Sequence, residues 1–441
     1  MPKSTRIRNS LRYSFWDGFF ASIQFGIVEQ FAVPLALYLG AGSTAVGLLN
    51  FIRNVLVAII QFFSADLTGI LHSRKKLIVS SVFLAAFLWL PTFWLPFFFQ
   101  RWRVAVFIIL FALASAFNML PTPAWASLMA EYIPPGKRGR YFGWRGAVLG
   151  LVYCVSVLLA GLALYLFKPI NLFVGFALLL AVAALARFIS WYFLNLMYEP
   201  GWRVKVTDEF SFWEFIRRIR VSNFARFSVL SALFVLSVAL VSPFFAVYLL
   251  KELGFDYFTF TVIISAAVLT THVTMRYWGR LADQYGNMKI IRLTSCLVAV
   301  IPLCWIFSGE PLYLVIVQLL AGFVWAGFNL SSTNFIYDVA TANKRERCIA
   351  YYNFLTGLGL GVGALLGGFL YRHLPLLWGS SFYNLLLLSA SLRLFFALAI
   401  SLLTKEVKNI KTVRVRALLY DMSGLRALGL LTRELIFRQK M

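Results

Sequence analysis

The chain has 441 residues, of which 61% are hydrophobic and only 13% charged, and a mean hydropathy of +0.80. That composition leaves too little polar surface to cover a soluble globule, so it excludes a cytosolic domain and points into a lipid bilayer. The formal net charge of +24 would suggest nucleic acid in a soluble protein; here its meaning depends on where the cations stand relative to the apolar segments.

A helix that crosses a bilayer takes about 20 apolar residues. The sequence predicts twelve such spans, at 15–39, 44–70, 77–99, 104–130, 141–167, 169–197, 224–250, 256–278, 289–308, 311–340, 350–373 and 376–403. The first follows Lys3, Arg6, Arg8 and Arg12 and is too long to be a cleaved signal peptide. Between the sixth and seventh lies the longest polar interruption, 198–223, which reads as a cytoplasmic linker. Its Phe210, Phe212, Trp213, Ile216 and Ile219, set against Glu209, Glu214, Arg217, Arg218 and Arg220, form an amphipathic pattern suited to the headgroups, although a plain solvated linker also fits. The chain therefore divides into a first bundle (1–197), the linker (198–223), a second bundle (224–403) and a basic tail (404–441) with an apolar stretch suited to a membrane surface. An even number of spans places both termini on one side. That side, taken as the cytoplasm, holds thirty of the 41 Lys and Arg residues and the opposite side five, which predicts a multi-pass protein of the inner (plasma) membrane with both termini cytoplasmic. Anionic lipids then replace nucleic acid as the expected partner of the charge. Cys154, Cys296, Cys304 and Cys348 have no metal or disulfide spacing, and no cofactor is expected.

The two sets of six spans repeat one another. Ser73-Arg74-Lys75-Lys76 matches Gly286-Asn287-Met288-Lys289 at an offset of 213, and Phe117-Asn118 matches Phe328-Asn329 at 211. Lys137-Arg138 and Arg140 match Lys344-Arg345 and Arg347 at 207, and Arg187 matches Arg393 at 206. Matches in one order with a slowly falling offset indicate a duplicated six-helix unit. Such parallel repeats hold a site between them near the midplane, exposed alternately as one half rocks on the other.

GRLADQYGNMK at 279–289 resembles the loop signature of the major facilitator superfamily, and PTPAWASLMAEYIPPGKRGRYFGWR at 121–145 is similar to the helix-four-to-five segment of many bacterial members. The resemblance implies an all-α integral membrane protein with twelve transmembrane helices as two pseudo-symmetric six-helix bundles. It also implies that the loop, with Gly279, Asp283, Gly286 and Lys289, latches one state of the carrier. Physically, Gly279 permits close helix approach, and Asp283 accepts hydrogen bonds at a neighbouring helix N-terminus. The first-half loop DLTGILHSRK, with Arg74, departs from this pattern: Ile70 stands at the acidic position and Asp66 one turn earlier, on the face from which it can make a similar contact.

Glu29 in the first span and Arg53 in the second both fall roughly 15 Å below the outer face at 1.5 Å per residue, so they can meet. An ionisable side chain at that depth is by default functional, with its partner named. Two readings stay open: a structural pair, or a site in which Glu29 takes a proton or cation and Arg53 is its partner or an anchor for an anionic solute. Asn50, Arg53, Gln61 and Ser64 share one helical stripe that suits a water-filled cavity. Asn118 and Asn329 fit either a cavity or interhelical hydrogen bonds, and His272 either a neighbouring helix or a site. Arg187, Arg393 and Arg276 are expected to snorkel, and Asp17 to act near a helix start. GLGLGVGALLGG at 357–368 lacks a preceding strand and GK[ST], so it reads as close helix packing.

The resemblance implies a secondary active transporter of a small organic solute, with no enzymatic activity. No Walker A motif is present, so an ion gradient is the expected energy source, the proton being favoured over sodium because of Glu29. The arginine-containing helix-four signature of many drug/proton antiporters is missing, and the direction of transport stays open. A transporter-fold sensor or scaffold is the alternative. A membrane enzyme is disfavoured because His72, His272 and His373 lie far apart in depth with no paired carboxylate spacing.

Overall fold

The computed structural model describes residues 3–133, 135–200, 211–339 and 345–406. Among them, twelve helices are long and apolar enough to cross a membrane. They are α1 (Thr5–Tyr38), α2 (Ser43–Phe62), α3 (Arg74–Thr92), α4 (Gln100–Met129), α5 (Trp144–Phe167), α6 (Leu172–Leu196), α7 (Asn223–Glu252), α8 (Tyr257–Tyr285), α9 (Asn287–Cys304), α10 (Pro311–Ile336), α11 (Cys348–His373) and α12 (Ser381–Leu403). The first six pack mainly among themselves, α1 on α5 and α6 and α4 on α2 and α3, and the last six repeat this with α7 on α11 and α12 and α10 on α8 and α9. The halves meet along two seams, α2 with α11 and α5 with α8.

Glycines set the first seam. A Cβ on Gly368 would stand 3.0 Å from the Ser43 carbonyl and 3.1 Å from the Cα of Gly47, so the α2 and α11 backbones touch there. The glycine-rich run in α11 is thus helix packing.

Three spans, the second, the fourth and the seventh, are interrupted where the sequence reading drew them continuous. The second ends at Phe62 and restarts as a short helix, Ser64–Leu71, and the fourth breaks at Leu120 before Thr122–Tyr132. Proline explains the latter: Pro123 has no N–H for the Met119 carbonyl four residues earlier. The orphan carbonyl is taken by the Gln61 amide at 3.1 Å, and the adjacent Leu120 carbonyl by the Ser64 hydroxyl at 2.9 Å. Residues at the break in the second span thus satisfy the break in the fourth, which the bilayer interior demands of any irregular backbone.

The same logic corrects the reading of Arg187 and Arg393 as snorkelling residues, since each is only 4% exposed. Arg393 donates at 3.3 Å to the carbonyl of Val298, freed by Pro302 within α9, and at 3.3 Å to that of Val238, at the turn that interrupts α7 before Pro243. Arg187 instead donates to Ser190 at 2.9 Å, and the Ser190 hydroxyl donates to buried Asp17 at 2.7 Å. Arg145 approaches the other Asp17 oxygen at 3.9 Å. Asp17 is therefore the counter-charge of an interior network and not a helix cap.

The apolar core shows which end is closed. At the end with the short loops after α1, α5 and α7, one continuous cluster joins both halves through Leu39, Leu164, Leu240, Phe244, Phe260 and Phe382. Lys251 adds a cross-half hydrogen bond to the Ala41 carbonyl at 3.3 Å. Toward the other end the core divides, with Leu77, Leu128 and Leu194 in one half and Phe224, Phe335 and Ile400 in the other. The halves are sealed at the end with the loops after α1, α5 and α7 and separated at the end that bears the basic loops.

Part of the linker bridges that separated end. A short helix, Phe212–Arg217, is capped by Ser211 and buries Phe215, while the Phe212 ring packs edge-on 5.3 Å from that of Tyr351 and 6.0 Å from that of Phe62. Its apolar face is covered by α2, α7 and α11, and Trp213, 71% exposed, turns outward. Residues 201–210, with Phe210 and Glu209, and the tail from 407 lie outside the described residues, as do the side chains of Lys137, Arg138, Arg140, Arg345 and Arg347 and the whole of Lys344.

Carboxylates from beyond the last helix of each half cap its third helix. Glu199 accepts from the N–H groups of Arg74 and Lys75 at 2.8 and 3.2 Å and from the Ser73 hydroxyl at 2.5 Å, and Glu406 accepts from the Met288 N–H at 2.8 Å. Replacing Glu199 with Ala should cost about 1 kcal/mol, as for other lost caps. Gly368→Val should cost about 1–3 kcal/mol by overpacking the seam. Both are expected as lowered unfolding temperatures of the purified protein, and an unchanged Gly368→Val transition would contradict the close approach.

Candidate functional site

Glu29 and Arg53 meet in the structure, as their common depth allows: an Arg53 Nη donates to a Glu29 oxygen. The pair is held by three helices, because the guanidinium also lies over the Phe111 ring of α4, 5.7 Å from its centroid. Side-chain exposures of 26% and 18% leave the pair partly open. The next residue, Gln30, donates to the Tyr153 hydroxyl of α5 at 2.7 Å. A closely paired carboxylate and guanidinium offset each other, while separating or neutralising one partner exposes the full cost of the other.

The remaining embedded residues separate into two groups. Asn50 donates to the Val46 carbonyl of its own helix at 3.0 Å, Gln61 completes the α4 break, and Asn118 is buried with its amide on Gln24 at 3.1 Å. The α2 stripe is thus partly consumed by backbone. Asn329 and His272, by contrast, line a cavity of about 380 Å³ with Tyr153, Thr271, Gly322 and Trp325. It lies between α5 of the first half and α8 and α10 of the second. Gly150 makes room for His272, since a Cβ there would come within 2.5 Å of the imidazole. The pseudo-equivalent asparagines therefore differ: Asn118 is spent inside its half and Asn329 faces open space.

The loop residues are placed as follows. Asp66 is exposed on the short helix after α2 and has no hydrogen bond or ion pair among the described residues, so it does not make the contact expected of it there. Arg74 is 5% exposed and pairs instead with Glu131 at 2.7 Å and approaches Glu199 at 3.9 Å. In the second half, Asn287 at the Arg74 position donates to Asp338 at 2.7 Å. Asp283 is exposed on the last turn of α8 and Lys289 half-buried in the first turn of α9. Gly279 has ordinary room for a side chain, the nearest atom being 3.6 Å away, so it is not a point of close approach. Gly286 is the conformationally constrained glycine, with a φ of +93°.

Sequence reasoning missed Tyr153, Thr271, Trp325, Gln30 and the acids Glu131 and Glu199. The acids carried a signal: Glu131 with Asp338 and Glu199 with Glu406 repeat at the offset of 207 already found for the basic residues. Tyr153 and Trp325 carried none, since one aromatic in an apolar helix resembles another.

Comparison with known proteins agrees with this architecture. The family model described as Major Facilitator Superfamily matches residues 18–307 and 227–439. A curated relative, the multi-drug resistance efflux pump PmrA homolog of Lactococcus lactis subsp. lactis, is 24% identical over 368 residues, covering 80% of this chain and 86% of its own. Solved structures with the same fold include a D-xylose-proton symporter (TM-score 0.67, 13% identity, 93% of this chain and 99% of that one) and the nucleoside transporter NupG (0.65, 14%, 90% and 99%). A bacterial homologue of the iron transporter ferroportin in its inward-facing state matches with a TM-score of 0.65 at 13% identity, over 91% and 98% of the two chains. The duplicated twelve-helix architecture and the match over nearly the whole chain place the protein in the Major Facilitator Superfamily, among membrane transporters.

Proposed function

We propose that the chain is a proton-coupled secondary transporter that moves a small organic solute by alternating access through the cavity between its halves. The observation that carries this reading is the Glu29–Arg53 pair, joined through neighbouring Gln30 to a wall residue of the cavity, Tyr153. Protonation of Glu29 removes the charge that balances Arg53. The unpaired guanidinium then favours whichever arrangement of the helices gives it new partners. Moving a two-state carrier from 1:99 to 99:1 takes about 5.5 kcal/mol, and the effective penalty of one desolvated ion, several kcal/mol, is of that order. The division of the core fits a carrier sealed outside and open toward the cytoplasm.

The family relationship points to transport in place of catalysis, and proteins with this fold include a proton symporter. In this reading 1–197 and 224–403 are the rocking bundles, 198–223 is the cytoplasmic linker, and 404–441 is a cytoplasmic tail. The inner membrane is its site, with anionic headgroups around the basic loops. Arg74 with Glu131 and Glu199, and Asn287 with Asp338 and Met288 with Glu406, are the loop clasps that hold each half's third helix as the bundles move.

Proteoliposomes containing a pH-reporting dye, challenged with a solute library, should show solute-dependent proton flux. Glu29→Gln should abolish that flux while solute exchange without a gradient continues; pH-driven flux retained in Glu29→Gln would reject the coupling role. Arg53→Ala should lose transport, and recovery in the Glu29→Gln/Arg53→Ala double variant would reduce the pair to a structural one. In a cysteine-free background, Val221→Cys, at a site 87% exposed, should react with a membrane-impermeant maleimide only from the cytoplasmic side. Labelling from outside would invert the topology.

A further inference from the structure

We infer that the cavity selects an uncharged solute carrying a flat ring with an edge that both donates and accepts hydrogen bonds. The inference rests on the carrier reading and extends it to substrate class. Its first support is charge. The residues lining the cavity include no carboxylate, guanidinium or ammonium group. Glu29 and Arg53, on the α1–α2 side, are bonded to each other. A charged solute entering this space would be desolvated with no fixed counter-ion, at an effective cost of several kcal/mol. The net charge of +24 raises the local concentration of anions around the basic loops, yet it supplies no cation to the wall itself.

The second support is the identity of the polar groups. Asn329, His272 and Trp325 carry side-chain polar atoms with no hydrogen-bond partner among the described residues, and all three line the same space. A carboxamide offers a donor and an acceptor in one plane, imidazole a donor or an acceptor at each nitrogen, and indole a donor. Together they match an amide-like or azine edge. Thr271 does not compete, because its hydroxyl proton is directed to the Ala267 and Gly322 carbonyls at 2.8 and 3.1 Å.

Shape is the third support. The Trp325 ring packs edge-on against Phe328 at 5.7 Å, and Tyr153 is fixed by Gln30, so two aromatic surfaces border the cavity with restricted rotation. Offset stacking on such rings contributes about 0.5–1.5 kcal/mol beyond area burial. A volume of about 380 Å³ is near the lower end of small-molecule sites, which suits one or two rings.

The test uses three compounds of one skeleton, nicotinamide (uncharged), nicotinate (anionic) and 1-methylnicotinamide (cationic), with hypoxanthine as a larger uncharged member. Each is titrated into purified full-length protein, and binding is read from the unfolding temperature and by calorimetry. The uncharged compounds should bind about tenfold or more tightly than the ions, the expectation for a site whose polar groups are matched. Asn329→Leu and Trp325→Leu should each weaken that binding about tenfold or more. If a variant fails to fold, the charge series on the wild-type protein decides alone. Equal or tighter binding of either ion, no binding of the uncharged members at millimolar concentration, or binding unchanged in a folded Asn329→Leu would overturn the inference. Proton-driven flux of a charged solute would overturn it and leave the carrier reading intact. Binding of the uncharged compounds without any flux would do the reverse.

Discussion

In the hydrocarbon core of a bilayer no water is available to satisfy a loose carbonyl or an unpaired charge, so every one must find its partner inside the protein. The placement of several buried polar side chains among the described residues follows from that constraint. Prolines create orphan carbonyls at Met119 and Val298, and Gln61 and Arg393 take them from neighbouring helices. Asp17, Ser190 and Arg187 form a chain of hydrogen bonds in the first half because none of them can leave the interior alone. Beyond these obligations stand the Glu29–Arg53 pair and the polar groups that line one cavity.

That remainder is distributed unequally between two halves descended from one unit. Asn118 is absorbed by Gln24, whereas Asn329 lines the cavity. Arg187 has an acid within reach through Ser190, whereas Arg393 leans on carbonyls alone. The first half thus concentrates the titratable charge, and the second supplies most of the cavity wall. Tyr153 connects them, belonging to α5 of the first half, facing α8 and α10 of the second, and holding the residue next to Glu29. Under the proposed mechanism ion and solute would act on one element without sharing a binding group, which is the differential contact that coupling between sites requires.

The closed end and the separated end are also consequences of packing. Large apolar residues of both halves merge at the end with the loops after α1, α5 and α7, and a merged core resists solvent entry. At the other end each half keeps its own core, and the bridge across α2 and α11 is a few aromatic rings, Phe62, Phe212, Tyr351 and Phe354. Few contacts with much exposed backbone mark the less stable end of a structure, and motion is expected there first.

By itself the sequence determined the membrane class, the number of spans and the duplication, because these depend on composition, segment length and period, all of which are local or repeat at a constant offset. It also determined that Glu29 and Arg53 share a depth, since rise per residue converts position into height. Depth says nothing about azimuth across a bundle. Only the tertiary structure therefore decided that Gln61 and Arg393 serve broken helices, that Asp66 stands apart while Glu199 and Glu131 engage Arg74, and that Tyr153 and Trp325, two aromatics among many, border the cavity. Those outcomes depend on which helix faces which, and facing is fixed by the close approach of glycines and the demands of orphan carbonyls on separate helices, not by any pattern within one of them.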